Sequence, residues 1–362
     1  MASRANRPCV QIGVTCEVLE TRRLLTGSAH AHVSGLGEAA RPPQAPALFI
    51  EPQAGRAPIL DAIDSARSTI RLGICNISDP QIGAALGAAV ARGVNVEVIV
   101  DQADYHAKSA EQAEVASLLA QGVAVHLSNP VFPQSFEKEL VIDQTRAVIM
   151  TMCLVPQTFQ DTRDYGLILA NPAIIKEVTS VFDNDWAYSA PPGQPTPAYN
   201  PTPPLHVPTL IWGPTNATAK LSQLIQSARR TIDVTTELLD DPYLDGQLIA
   251  AAHRGVRVQL ICPVNTREGT SNASAIALLA GQGVNVRVTP DQNPPANAPP
   301  YMHAKTMIVD GRVAYLGSID LDTIEATQDR ELGIIFRQRP LVAQLGTQFQ
   351  TDWSTAQAPP LS

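Results

Sequence analysis

Residues 303–318 read HAKTMIVDGRVAYLGS and bring together side chains that suit phosphoryl chemistry. His303 and Lys305 stand two positions apart, so on an extended strand both side chains leave the same face. An imidazole can attack phosphorus or move a proton near neutral pH. A lysine one strand step away can hold the non-bridging oxygens of a phosphodiester and offset charge in the transition state. Asp310 ends the apolar run, and Gly311 permits a tight turn into a second strand that closes at Gly317 and Ser318. Gly317 would let backbone approach a phosphate, and the Ser318 hydroxyl would donate to it. Asp310 has two readings, as a holder of the turn or as a group that meets substrate. No Cys/His/Asp/Glu cluster with metal-ligand spacing accompanies the set, so the chemistry calls for no metal or other cofactor.

A strand, turn and strand of this kind must be held in a sheet, and the chain writes the pattern of such a sheet twice. ILDAIDSARSTIRL (59–72) matches LSQLIQSARRTIDV (221–234), and IGAALGAAVARGVNVEVIVD (82–101) matches LDGQLIAAAHRGVRVQLICP (244–263). LLAQGVAVHL (118–127) matches LLAGQGVNVRV (278–288), and LVIDQTRAVIMT (140–151) matches MIVDGRVAYLGS (307–318). Asp185-Trp186 near the end of the first half matches Asp352-Trp353. Apolar residues at helical spacing, then glycine, then a Val/Ile-rich run predict alternating helices and strands. Each half is β-α-β-α-β-β in outline, and the class is α/β with mixed sheets. The divisions are a leader over 1–46, a first lobe over 47–188, a proline-rich linker over 189–208 and a second lobe over 209–356.

The spacing H-x-K, then D after four intervening residues, then G-S after six more, resembles the signature of the phospholipase D superfamily. The run IDLDTIEATQDRELGIIF (319–336) is similar to that family's continuation. Arg330 and Glu331 match it, while Asp320 and Asp329 stand where asparagines are usual. The resemblance spans roughly residues 47–355 and implies two duplicated α/β/α lobes with the active site at their interface. It also implies a phosphohistidine on His303, with Lys305 on the phosphate oxygens, Ser318 assisting and Glu331 orienting the imidazole. Gly317 and Asp320 would lie beside the substrate.

Laying Asp143 over Asp310 puts Lys138 over Lys305, Thr151 over Ser318 and Asp164 over Glu331. Lys138 and Thr151 would then line the opposite wall. Phe136, however, falls where the family's second histidine belongs, and Met150 replaces the glycine. The family uses one histidine as nucleophile and the other to protonate the leaving alcohol and then activate water. Phenylalanine cannot transfer a proton, so Phe136, Asp143 and Asp164 mark a degenerate motif. Three arrangements stay open: a substitute acid, two chains pairing their intact halves as a homodimer, or a weak or inactive phosphate-binding relative.

The other histidines read differently. His106 and Lys108 imitate the motif's letters but lack the apolar run and aspartate that should follow. His126 is a structural residue, Trp186 and Trp353 are core anchors, and His253 near a helix end suits the helix dipole. The loop 294–302 could rim the site.

A net charge of −8 gives little counterion-release advantage on a polyanion. The family resemblance implies a phospholipid as the first-choice substrate, for hydrolysis or transfer, and the acidic balance makes an endonuclease the second alternative and disfavours nucleic acid as a partner. The five dispersed cysteines read as buried small hydrophobes, not as a disulfide framework. No apolar run reaches transmembrane length. The N-terminal LETRRLL element (19–25) resembles a short element of some exported bacterial proteins, which leaves cytoplasmic and exported locations both open.

Overall fold

A computed structural model describes residues 45–200, 203–291 and 298–360. The first lobe runs β1 (Ala47–Glu51), α1 (Ala57–Asp64), β2 (Thr69–Ile74), α2 (Pro80–Ala91), β3 (Asn95–Val100), α3 (Gln102–Ala107), α4 (Ser109–Ala120) and β4 (Ala124–Leu127). It ends with β5 (Glu139–Ile142), β6 (Arg146–Met150), β7 (Thr162–Leu169) and α5 (Pro172–Tyr188). The second lobe runs β8 (Leu210–Gly213), α6 (Ala217–Ser227), β9 (Thr231–Thr235), β10 (Leu239–Asp240), α7 (Pro242–His253), β11 (Arg257–Pro263), α8 (Ala273–Gly281) and β12 (Asn285–Thr289). It continues through β13 (Tyr301–Met302), β14 (Lys305–Val309), β15 (Val313–Gly317), β16 (Leu321–Asp322), α9 (Thr323–Thr327), β17 (Glu331–Phe336) and α10 (Arg339–Thr355).

The duplication reaches down to the capping residues. Asp79 and Asp241 each accept from two backbone amides at the start of α2 and α7, and each precedes a proline in the first turn. Both helices then stop at a glycine with positive φ, Gly93 and Gly255, which turns the chain back into β3 and β11. Strand order is the same in both lobes: β1-β7-β6-β5-β2-β3-β4 and β8-β17-β15-β14-β9-β11-β12. In each, a parallel side formed by crossovers meets an antiparallel side formed by hairpins. The expected α/β class with two mixed sheets is therefore what the chain adopts.

Each lobe has its own core, and a third core lies between them. Ile149, Leu167 and Val178 of the first lobe pack there with Leu316, Leu332 and Phe349 of the second. Two buried ion pairs cross this interface in reciprocal fashion. Arg163 meets Asp352 at 2.9 Å, and Arg330 meets Asp185 at 2.7 Å. The repeated Asp-Trp pairs thus supply the acids that receive the two equivalent arginines. Trp186 stacks on His126 at 3.7 Å and the Arg287 guanidinium lies over Trp353 at 4.7 Å.

One sequence expectation is corrected here. Cys75 and Cys153 form a disulfide across 78 residues of chain, which their wide separation did not suggest, while Cys262 is free and buried. Cys9, Cys16 and the LETRRLL element lie outside the described residues, as do residues 294–297 of the 294–302 loop. No helix among the described residues is long and apolar enough to cross a membrane.

Candidate active site

Two short crossings between lobes build the site. β13 runs parallel to β7, pairing Tyr301 with Thr162 and Met302 with Arg163. The next residue, His303, donates its backbone amide to the Arg163 carbonyl (3.3 Å), which sets the imidazole beside Asp164. The mirror crossing pairs Ser135 with Arg330, and the Phe136 amide donates to the Arg330 carbonyl (2.7 Å). Lys305 donates to the His303 carbonyl at 2.7 Å, and Lys138 donates to the Phe136 carbonyl at 3.1 Å. Phe136 therefore occupies the backbone position in the first lobe that His303 occupies in the second.

His303 Nδ1 lies 2.8 Å from Asp164 Oδ1, and the other ring nitrogen lies 3.4 Å from Glu237 Oε2. The ring retains 19% of its side-chain exposure, whereas Asp164 is fully buried. Thr151 and Thr162 hydroxyls donate to Asp164 at 2.6 and 2.8 Å. Burial works against an ionised Asp164, but the His303 ring, the Thr151 hydroxyl and Lys305 outweigh it and lower its pKa. An anionic Asp164 favours a proton on Nδ1 and leaves the opposite nitrogen a lone pair.

Lys305 is buried among acceptors. Its ammonium lies 2.9 Å from Glu237 Oε2 and 3.3 Å from Asp320 Oδ2. Burial opposes its charge, yet Asp320 and Glu237 raise its pKa overall. Burial likewise opposes an ionised Glu237, but Lys305 and His303 bring its pKa down to about 2. The Tyr301 hydroxyl donates to Glu237 Oε1 at 2.5 Å.

Several expected roles shift. Glu331 does not orient His303; Asp164 from the opposite lobe does, because the strand crossings exchange partners between halves. Both Glu331 oxygens are buried and lack a hydrogen-bond partner. Burial pushes its pKa up to about 8, against the pull of Lys138 and the nearby Ser318 hydroxyl. Asp310 sits at φ 53 in the hairpin and accepts from the amides of Arg229, Arg230 and Thr231, as Asp143 does from Arg67, Ser68 and Thr69. Both aspartates lock a turn to the start of the neighbouring strand, and their carboxylates are used up there.

Ser318 is also engaged by backbone: its hydroxyl donates to the Leu332 carbonyl and accepts from the Leu332 amide, both at 3.1 Å. Gly317 serves strand packing, since a Cβ there would lie 2.6 Å from the Leu332 carbonyl oxygen and run into the Gly333 backbone. Asp320 accepts from Thr236 Oγ1 (2.7 Å) and the Glu237 amide (2.8 Å) and so holds Lys305 in place of meeting substrate. Thr151, expected on the opposite wall, is buried behind it on Asp164. Lys108 pairs with Asp104 at 2.7 Å and His106 is exposed on α3, so neither joins the site. Sequence reasoning missed Glu237 and Tyr301. Glu237 follows β9 by two residues in a region without motif letters, and only the sheet register brings it to Lys305.

The family described as "Cardiolipin synthase, PLD-like domain" matches this chain twice, over residues 59–186 and 221–353. Human mitochondrial cardiolipin hydrolase is 30% identical over 139 residues, 38% of this chain and 51% of that protein. Phospholipase D Z of Dictyostelium discoideum is 31% identical over 152 residues, 37% of this chain and 35% of that protein. The matches thus span about half or less of these curated relatives. Among solved structures, phosphatidylserine synthase of Haemophilus influenzae superposes with a TM-score of 0.68 at 13% identity, covering 87% of each chain. Polyphosphate kinase of Porphyromonas gingivalis gives a TM-score of 0.63 at 18% identity, covering 85% of this chain and 47% of that one. At these identities the two structures speak to the fold alone.

Proposed function

The chain belongs to the phospholipase D-like family whose profile it matches in both halves, and on that premise we propose that it cleaves phosphodiesters through His303. The observation that carries this reading is the His303–Asp164 pair at 2.8 Å, a partly exposed imidazole oriented by a buried carboxylate from the other lobe. In the first step the lone pair on the outer ring nitrogen forms a bond to phosphorus, and the bond to the leaving alcohol breaks. The resulting phosphohistidine is then attacked by water or by a second alcohol, the P–N bond breaks and His303 is regenerated. Asp164 keeps its ring proton and stabilises the imidazolium.

The leaving oxygen needs a proton, and Phe136 cannot supply one. No second imidazole stands opposite His303 among the described residues, and this reading assigns that proton to solvent water. Leaving groups that depart as stable anions should then react faster than alkyl alcohols. The phospholipid names of the family and its relatives support a phospholipid diester as the natural substrate class. Headgroup removal and headgroup transfer are both consistent with the same intermediate.

The test is turnover of a nitrophenyl phosphodiester and of phospholipid vesicles, comparing the natural chain with His303→Ala. Acid-labile phosphate trapped on the natural chain and missing from the variant is the expected result. Equal activity in both proteins would remove His303 from the mechanism. A second reading, a phosphate-binding relative without turnover, is favoured by Phe136 alone, and absence of turnover in folded natural protein would select it.

A further inference from the structure

The two lysines of the duplicated site stand in different company. Sheet register makes Glu237 and Asp320 of the second lobe equivalent to Cys75 and Cys153 of the first. Lys305 therefore faces two carboxylates, whereas Lys138 stands in a half-site where the same two positions are joined as an uncharged disulfide. Lys138 has no carboxylate within ion-pair distance among the described residues and lies 5.0 Å from the Phe136 ring centroid.

An ammonium has three hydrogens. Lys305 donates to the His303 carbonyl (2.7 Å) and to Glu237 Oε2 (2.9 Å) and forms an ion pair with Asp320 Oδ2 (3.3 Å), so a substrate oxygen must compete with these acceptors. The same Glu237 oxygen lies 3.4 Å from the outer nitrogen of His303, the nitrogen that must meet phosphorus. A carboxylate oxygen that touches both the lysine and the nucleophile stands where a non-bridging phosphate oxygen would have to stand. Its other oxygen is tethered by Tyr301 at 2.5 Å, and Tyr301 belongs to the strand that crosses between lobes.

We infer that Glu237 is an internal anion occupying the phosphate seat of the His303–Lys305 half-site, so that a substrate phosphate enters by displacing it. The inference rests on the proposed reading of this site as a phosphodiesterase. Glu237 stays ionised down to about pH 2 because Lys305 and His303 outweigh its burial, so mild acidification does not empty the seat. Displacement instead requires the side chain to leave Lys305 and Tyr301, which sets a threshold that a weakly held anion does not cross. A substrate anchored elsewhere by its own apolar or headgroup contacts can cross it.

The experiment is titration of the full-length protein with inorganic phosphate, followed by calorimetry, for the natural chain, Glu237→Gln and Tyr301→Phe. The amide keeps the shape and an acceptor for Tyr301 but removes the competing charge. Phosphate affinity should tighten on the order of tenfold in Glu237→Gln, as expected for removal of a like charge in contact with the anion. Tyr301→Phe, which removes the tether together with the acceptor of the Arg267 amide and leaves the Glu237 charge in place, should move in the same direction by a smaller factor. It decides the matter if the first variant does not fold. Affinity unchanged or weakened in the folded variants overturns the inference. Tighter phosphate binding with no turnover in any of the proteins would keep the inference and discard the enzymatic reading. His303-dependent turnover with unmoved phosphate affinity would do the reverse.

Discussion

Asp164 and His303 belong to opposite lobes, yet they meet at 2.8 Å because β13 leaves its own sheet to pair with β7. The carboxylate that orients the His303 ring is thus supplied by the half of the chain that carries Phe136 at the equivalent position.

Asp164→Asn should therefore lower kcat on a nitrophenyl diester by roughly two to four orders of magnitude with little change in KM, by the logic of a carboxylate that fixes a histidine tautomer. The amide can present its NH2 to Nδ1 and reverse the tautomer. Steady-state kinetics measure this, and a loss smaller than about tenfold would mean that Asp164 does not act through the ring.

Phe136 and Glu331 make the complementary case. Phe136 holds the backbone position of a second histidine, and Glu331 is equivalent to Asp164 by register, buried and without a hydrogen-bond partner. Phe136→His should place an imidazole beside that carboxylate and restore a proton donor. Hydrolysis of alkyl diesters should rise by about a hundredfold, within the usual range for general acid catalysis, and nitrophenyl diesters much less because their leaving groups need no proton. An equal change for both substrates would contradict the assigned role.

The disulfide is expected to matter for stability. Cys75–Cys153 closes a loop of 78 residues, for which loop-closure entropy gives about 4.5 kcal/mol. Cys75→Ser with Cys153→Ser should lower the denaturant midpoint by a corresponding amount, measured against the oxidised natural chain. Natural protein unfolded under reducing conditions should approach the double variant, and coincident midpoints in oxidising buffer would remove the stabilising role.

Much of this arrangement was legible in the sequence, and the reasons for the rest are physical. The repeats located the helices and strands because helical apolar spacing, terminal glycines and β-branched runs act locally. The motif's spacing set His303 two positions from Lys305 without tertiary information, but His303 lies between β13 and β14 and not on one strand with Lys305. The assignment of Glu331 to His303 failed because it assumed that each half completes its own site. Strand crossing at Tyr301–Met302 and Ser135 is a tertiary event with no spacing signature. Asp310 and Ser318 have the residue types of a phosphate site, yet backbone amides and carbonyls claim their polar atoms. Glu237 could not be found from spacing, since it meets Lys305 across 68 residues of chain.

Glu331 also makes stability depend on pH in a definite direction. Its pKa is about 8 in the folded chain against an ordinary 4.5, with burial the largest cause and Lys138 and the nearby Ser318 hydroxyl pulling the other way. Between those values the folded chain holds a proton that the unfolded chain has released. Folding stability therefore falls as pH rises from about 4.5 to 8, and below that window the group contributes no dependence. Glu139, which burial also pushes up to about 8, adds to the same slope. Glu331→Gln removes one of these protons from the balance while keeping the side chain's shape. Thermal midpoints of variant and natural chain should coincide near pH 5 and separate by pH 9, with the variant the more stable. Midpoints that stay parallel across the range would show that Glu331 is ionised in the folded chain throughout, and would also remove the ground for seating a histidine opposite it.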